Sequence, residues 1–171
     1  PLFRSNAREV KEIDENVLDE AAQWISDHQN DDGSWDTIGF VCHADMMGGV
    51  SGKYTLTAYT VIALLEYGNA DMSVLNAAGE YLEDNLDENK DDSYALAIST
   101  LALYKLKSDK ADDALKMLMD LAKEDENGIY WEGTVKPPAP RYEYMPVPVS
   151  SQNVEITAYA ALALMEVKDA R

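Results

Sequence analysis

Along this chain, segments with a single apolar stripe alternate with segments that are apolar on nearly every side. Ile13, Val17, Ala21, Trp24, Ile25 and His28 recur at spacings of three and four, while Asp14, Glu15, Asp19, Glu20 and Asp27 fall elsewhere. That spacing predicts an amphipathic helix with acids in its first turn, where the helix dipole favours them. His28 ends the stripe and is expected to be a packed side chain rather than a ligand. Asn30 to Gly33 stops the helix, and Trp35 is expected to pack back onto it or its neighbour. Residues 54–67 are apolar all round, which predicts a helix buried on most sides and ended by Gly68. Asp71 caps a third, amphipathic helix with Leu75, Ala78, Tyr81 and Leu82 on one face. A charged turn over 87–92 leads into 94–104, again apolar on most sides, and Ala114, Leu115, Leu118, Leu121 and Ala122 share one face of a fifth helix over 109–123. The connection 124–151 holds five of the six prolines, all within 137–148, which excludes a helix there and disfavours a sheet. A last all-round apolar helix spans 155–166.

A simple bundle would leave every helix one wet face, whereas here every second helix has almost none. The arrangement that satisfies both kinds is a two-layer ring of helix hairpins, the apolar helices inside and the amphipathic ones around them. The fold class expected is therefore all-α, a partial α/α toroid. Internal repetition agrees: Thr57-Ala58-Tyr59 and Thr157-Ala158-Tyr159 open near-identical apolar helices, with Tyr94-Ala95-Leu96 opening the one between. Gln29-x-x-x-Gly33-x-Trp35 recurs in weaker form as Glu124-x-x-x-Gly128 with Tyr130 and Trp131. Three helix pairs are too few to close such a ring, so residues 1–171 are expected to be a fragment of a single domain, with 132–151 a proline-rich loop within it. Apolar flanks left open at its edges predict marginal stability or self-association.

Composition narrows the function classes. The chain has 171 residues, enough for one domain with a sizeable core, and 32 acids against 14 bases leave a formal net charge of -18. That balance argues against nucleic acid as a partner, because neutralising phosphates needs basic patches. No apolar run reaches the roughly 18 residues that span a bilayer, so no membrane association is expected. Pro1-Leu2-Phe3-Arg4 reads as a cut into something longer. Cys42 is the one cysteine: it is either a buried thiol or the partner of a residue outside the chain. Asp31-Asp32-Gly33, Asp87 to Asp92 and Asp125-Glu126-Asn127-Gly128 all fail the spacing of a calcium-binding EF-hand loop and are expected to be solvated acidic turns. Neither a metal nor a cofactor is expected. Met46, Met47, Met117 and Met119 read as core or loop filling, and Tyr142 and Tyr144 either anchor a neighbouring domain or fold back on the surface.

The candidate chemistry gathers between Gln29 and Gly49. Trp24-Ile25 followed by Gln29-x-x-x-Gly33-x-Trp35 resembles the QW motif of terpene cyclases, which implies a toroid and nothing about chemistry. A cyclase would also need an Asp-x-Asp-Asp acid motif, which the chain lacks. The zinc-binding protein prenyltransferases need separated Asp, Cys and His ligands, whereas Cys42, His43 and Asp45 are crowded together. A toroid enzyme of these kinds is kept as the alternative reading.

Five pieces in register, spread over the whole chain, resemble another family. They are Gln29 to Trp35, His43-Ala-Asp45-Met-Met-Gly-Gly49, residues 54–66, Asp92-Ser-Tyr-Ala-Leu-Ala97 and residues 154–165. This pattern is similar to the thioester domain of the alpha-2-macroglobulin and complement family, and Lys136-Pro-Pro-Ala-Pro140 before Tyr142 and Tyr144 resembles its macroglobulin branch. The resemblance implies a secreted, extracellular parent that works in protease trapping or innate-immune surface tagging and is not a turnover enzyme. Its partners would be the remainder of that parent and a target protease or the hydroxyls and amines of a microbial surface. The internal thioester is made from the Cys and Gln of a Gly-Cys-Gly-Glu-Gln motif, which this chain lacks. In hydroxyl-preferring members a loop histidine attacks the thioester. His43 matches that position, and Asp45 stands where such members often carry an acid; amine-preferring macroglobulins tend to have asparagine in place of the histidine. Neutral imidazole suits the role, being a strong nucleophile near neutral pH and a good leaving group once acylated. The plain alternative is a loop histidine beside a solvated aspartate. A Cys42-His43 nucleophile pair is disfavoured, since neighbours on an extended segment point to opposite sides.

Overall fold

The computed structural model describes residues 14–39, 52–133 and 152–170. It is all-α apart from one small hairpin. Helix α1 (Glu15–Asp27) starts at Asp14, whose carboxylate accepts from the Asn16 backbone N–H. Helix α2 (Lys53–Tyr67) ends at Gly68, in the left-handed conformation with φ 84°. Helix α3 (Met72–Asp84) is capped by Asp71 and helix α4 (Ser93–Leu106) by Asp92, which accepts from the N–H groups of Tyr94 and Ala95. Among the described residues, helices α5 (Ala111–Asp120) and α6 (Gln152–Ala170) complete the α-helices, with a 3-10 turn over Asp87–Asn89 before α4. Each capping carboxylate satisfies backbone donors that a helix start leaves open, which is why these aspartates end the polar turns.

Helix α4 lies at the centre. It packs against α2 and α6 on its flanks and against α3 and α5. Every residue from Ser93 to Leu103 is buried, so the all-round apolar pattern of this segment reports its surroundings. Helix α2 is buried on most sides as expected, whereas α6 is not: Val154, Leu162, Leu164 and Met165 are exposed. The amphipathic helices α1, α3 and α5 bury one face each, with Leu18 and Ala22, Leu75, Ala78 and Leu82, and Ala114 and Leu118 in the core.

The chain differs from expectation between α5 and α6. The fifth helix stops at Asp120, and the start of the connection forms an antiparallel hairpin, β1 (Lys123–Asp125) with β2 (Gly128–Tyr130), Asp125 opposite Gly128. Helix propensity at 121–123 gives way there to the Asp125-Glu126-Asn127-Gly128 turn, in which the Asp125 carboxylate accepts from the Asn127 N–H. The proline-rich part of the connection lies outside the described residues.

Two side-chain groups tie the apolar helices together, and a third joins α2 to the amphipathic α3. Lys105, near the end of α4, donates to Glu66 of α2 at 2.8 Å and lies 3.1 Å from Glu166 of α6. At the other end of α4 the Tyr94 hydroxyl donates to Glu155 of α6 at 2.7 Å, and the Tyr94 and Tyr159 rings meet edge to face, centroids 6.0 Å apart. The Tyr54 hydroxyl of α2 donates to the Leu82 carbonyl of α3.

Candidate functional site

The site expected from sequence, His43 with Asp45, lies outside the described residues, as does Cys42. The structure describes the two roots of the segment that carries them, residues 29–39 and the start of α2.

The first root is a staple on the end of α1. The Gln29 amide donates both to the Gly33 carbonyl and to the Val74 carbonyl of α3, each at 2.9 Å. Gly33 has φ 83°, and a Cβ added to it would fall 2.1 Å from the Ala77 carbonyl oxygen. The turn therefore lies with its backbone directly on α3, which only glycine permits. Trp35 is buried; its indole N–H donates to the Ile25 carbonyl of α1 at 2.7 Å and its backbone N–H to Thr57 Oγ1 of α2 at 3.1 Å. One residue thus fixes α1 and α2 together.

The second root is the start of α2. The Thr55 hydroxyl bonds back to the carbonyl and N–H of Gly52, steadying the entry to the helix. Lys53 reaches across to the first root, 3.3 Å from Asp32 and 3.8 Å from Asp36. Asp32 also accepts from the backbone N–H and hydroxyl of Ser34; these bonds first, and Lys53 after them, hold its carboxyl below the usual range. The Asp32 partnership in turn raises the Lys53 ammonium. Asp36 accepts from the Asn30 amide at 3.0 Å. These pairs are exposed and individually weak. Their consequence is geometric: residues 36 and 53 are held in reach of one another.

The same staple recurs at the other end of the molecule. Trp131 is buried, its indole N–H donates to the Leu118 carbonyl of α5 at 2.7 Å and its backbone N–H to Thr157 Oγ1 of α6 at 3.3 Å. Helix α4, which follows no such tryptophan, has Ala97 at the corresponding position. The threonines of the repeated Thr-Ala-Tyr triplets are therefore the acceptors of the two staples, a role that sequence reading missed although the triplets were visible.

The structure adds detail to two expectations. His28 is exposed and stacks on the half-exposed Trp24, centroids 4.0 Å apart, with Nδ1 2.6 Å from the Trp24 carbonyl; it packs on the surface and not in the core. The acidic turns are not merely solvated: Asp32 and Asp125 accept from their own turns and Asp92 caps α4. Among the described residues no group of three or more His, Cys, Asp or Glu side chains is placed to hold a metal ion, and no helix is long and apolar enough to cross a membrane.

Paired amphipathic and apolar helices, each tryptophan staple joining an amphipathic helix to an apolar one, define the class as an all-α helical repeat domain. Residues 3–171 match the family model described as the A-macroglobulin TED domain, and the chain belongs to this family of thioester domains, alpha-2-macroglobulin family members. It is 34% identical over 155 residues to ovostatin of Gallus gallus, covering 90% of this chain. It is 28% identical over 168 residues to thioester-containing protein 1 allele S3 of Anopheles gambiae, covering 95% of this chain. The chain spans about a tenth of the length of these relatives, 10% and 11%. Membership of this family replaces the alternative of a cyclase or prenyltransferase.

Proposed function

We propose that this chain is the part of a thioester domain that shields the thioester of a secreted macroglobulin- or complement-like parent until activation, and that supplies His43 for acyl transfer to hydroxyl groups. The observation that supports it most is the match to the thioester-domain family, together with the joining of residues 35–36 to the start of α2, on either side of the segment that holds His43 in the sequence, by the Trp35–Thr57 bond and the Lys53 pairs. The thioester Cys and Gln belong to the parent outside this chain. An unprotonated imidazole nitrogen of His43 attacks the thioester carbonyl carbon, the C–S bond breaks, and the sulfur leaves as thiolate. The thiolate then takes the proton of an incoming hydroxyl, whose oxygen attacks the acyl carbon and expels neutral imidazole. An ester and a free thiol result, once per parent molecule. Asp45 stabilises the imidazolium formed in the first step. The targets are a protease caught by the parent or the hydroxyls of a microbial surface.

The test is incorporation of labelled glycerol and methylamine by the activated parent, with His43 intact and as His43→Asn. Glycerol incorporation is expected to fall at least tenfold in the variant while methylamine incorporation persists. Unchanged glycerol incorporation would remove the catalytic role of His43.

A further inference from the structure

Two sites in the chain set an Asn or Asp directly before a glycine, Asp32-Gly33 and Asn127-Gly128. The pairing matters chemically: the backbone nitrogen of the second residue can attack the side-chain carbonyl carbon of the first, and glycine, without a Cβ, obstructs that approach least. The structure locks the first site. The Asp32 carboxylate accepts from the backbone N–H and hydroxyl of Ser34 and lies 3.3 Å from the Lys53 ammonium. The Gly33 N–H donates to the Asn30 carbonyl at 2.9 Å, and the Ala77 backbone of α3 closes the space beside its Cα. Attack there requires the first staple to come apart.

The second site is open. Residues 123–129 are all exposed, and the space beside Gly128, whose φ is 133°, is clear. The Asn127 backbone N–H donates to the Asp125 carboxylate at 2.7 Å, but its side-chain amide makes no hydrogen bond among the described residues. Six of the other described asparagines use their side chains in hydrogen bonds. Asn76 lies inside α3, where the helix holds the backbone nitrogen that follows it. Around Asn127 the backbone is held by a hairpin of three residue pairs, a unit that is marginal alone and opens locally. The connection is also longer here than at the first staple: Trp35 stands eight residues beyond the end of α1, and Trp131 eleven beyond the end of α5. The hairpin takes up the additional length, and its turn carries Asn127.

We propose that Asn127 is a site of spontaneous modification, deamidating through a cyclic imide formed with the Gly128 backbone nitrogen. That nitrogen gives up its proton to hydroxide and attacks Asn127 Cγ; the bond from Cγ to the side-chain nitrogen breaks, and ammonia leaves. Water then opens the imide at either carbonyl. Breaking the new bond to Cγ gives aspartate, and breaking the original peptide bond gives isoaspartate, whose main chain is longer by a methylene. Water is consumed and ammonia released, with no other reactant. In both products a neutral amide becomes an acid beside Asp125 and Glu126. The inference is independent of acyl transfer by His43.

Peptide mapping by mass spectrometry of the full-length protein, aged in mildly alkaline buffer while folded and while unfolded in guanidinium chloride, tests it. Isoaspartate is counted by enzymatic methyl transfer from labelled S-adenosylmethionine. In the folded protein Asn127 is expected to convert at least about tenfold faster than every other described asparagine, while Asp32 stays intact. Unfolding is expected to release Asp32 to isomerise and to change the Asn127 rate by less than about tenfold, since the hairpin protects little. Isoaspartate is expected beside aspartate at position 127, and Asn127→Gln to abolish both. An Asn127 that stays intact in the folded protein overturns the proposal, as does an acceleration on unfolding beyond that limit. Folded-state isomerisation of Asp32 at the unfolded rate would also overturn it, and so would aspartate as the sole product, which would mean hydrolysis by water without the Gly128 nitrogen.

Discussion

Gly33 carries more structure than any other single residue of the first staple. Its φ of 83° lies in the left-handed region, and its missing Cβ makes room for the Ala77 carbonyl of α3. Both constraints act on a side chain of any size. Gly33→Ala is therefore expected to destabilise the chain by more than about 1 kcal/mol, the scale of a glycine replaced where φ is positive, with the backbone clash added. The urea midpoint of unfolding measures it; an unchanged midpoint would show that α3 gives way freely. The pattern Gln29-x-x-x-Gly33-x-Trp35 was readable as a structural motif through its resemblance to the QW motif. The acceptors at Val74, Ile25 and Thr57 were not readable, since they are set by the approach of separate helices.

At the scale of elements, α4 is held to its neighbours partly through tyrosines that must stay neutral. Burial pushes the Tyr54 hydroxyl up to about 12, and burial followed by the Glu155 charge does the same for Tyr159. Burial and the bond to Glu155 also raise Tyr94. A folded value above the unfolded one near 10.0 means stability that is complete below that pH and is lost as pH rises toward 12. The chain is therefore expected to unfold cooperatively above pH 10.0, with phenolate absorbance of these tyrosines appearing together with loss of helical circular dichroism. Phenolate appearing well before helix loss would place these hydroxyls in water. Tyr94→Phe, which keeps the ring and removes the ionisable group, is expected to make the alkaline transition shallower.

For the whole molecule the governing quantities are charge and the covering of the apolar helices. With 32 acids and 14 bases on a compact chain, repulsion opposes the folded state and is screened by salt. The melting temperature is accordingly expected to rise between low and physiological ionic strength; a fall would mean that surface ion pairs such as Lys53 with Asp32 outweigh the net repulsion. Lys105 opposes the trend locally, since one cation joins Glu66 and Glu166 from two different helices.

The alternation of apolar pattern by itself determined that the chain is all-α, which helices have a wet face, and where most of them begin and end, because spacing and capping are local properties of the chain. The resemblance to thioester domains, and not the apolar pattern, singled out His43 and Asp45 as candidate chemistry. The end of α5 and the β1–β2 hairpin were decided elsewhere: residues 121–123 suit a helix, but the turn at Asp125 to Gly128 pairs Lys123 with Tyr130, and the helix ends before it. Only the tertiary structure decided that α2 and α4 are buried while α6, apolar on most sides from Ile156 to Met165, leaves Leu162, Leu164 and Met165 exposed. Sequence states what a helix needs to bury, and the number of neighbours it meets depends on its place in the row.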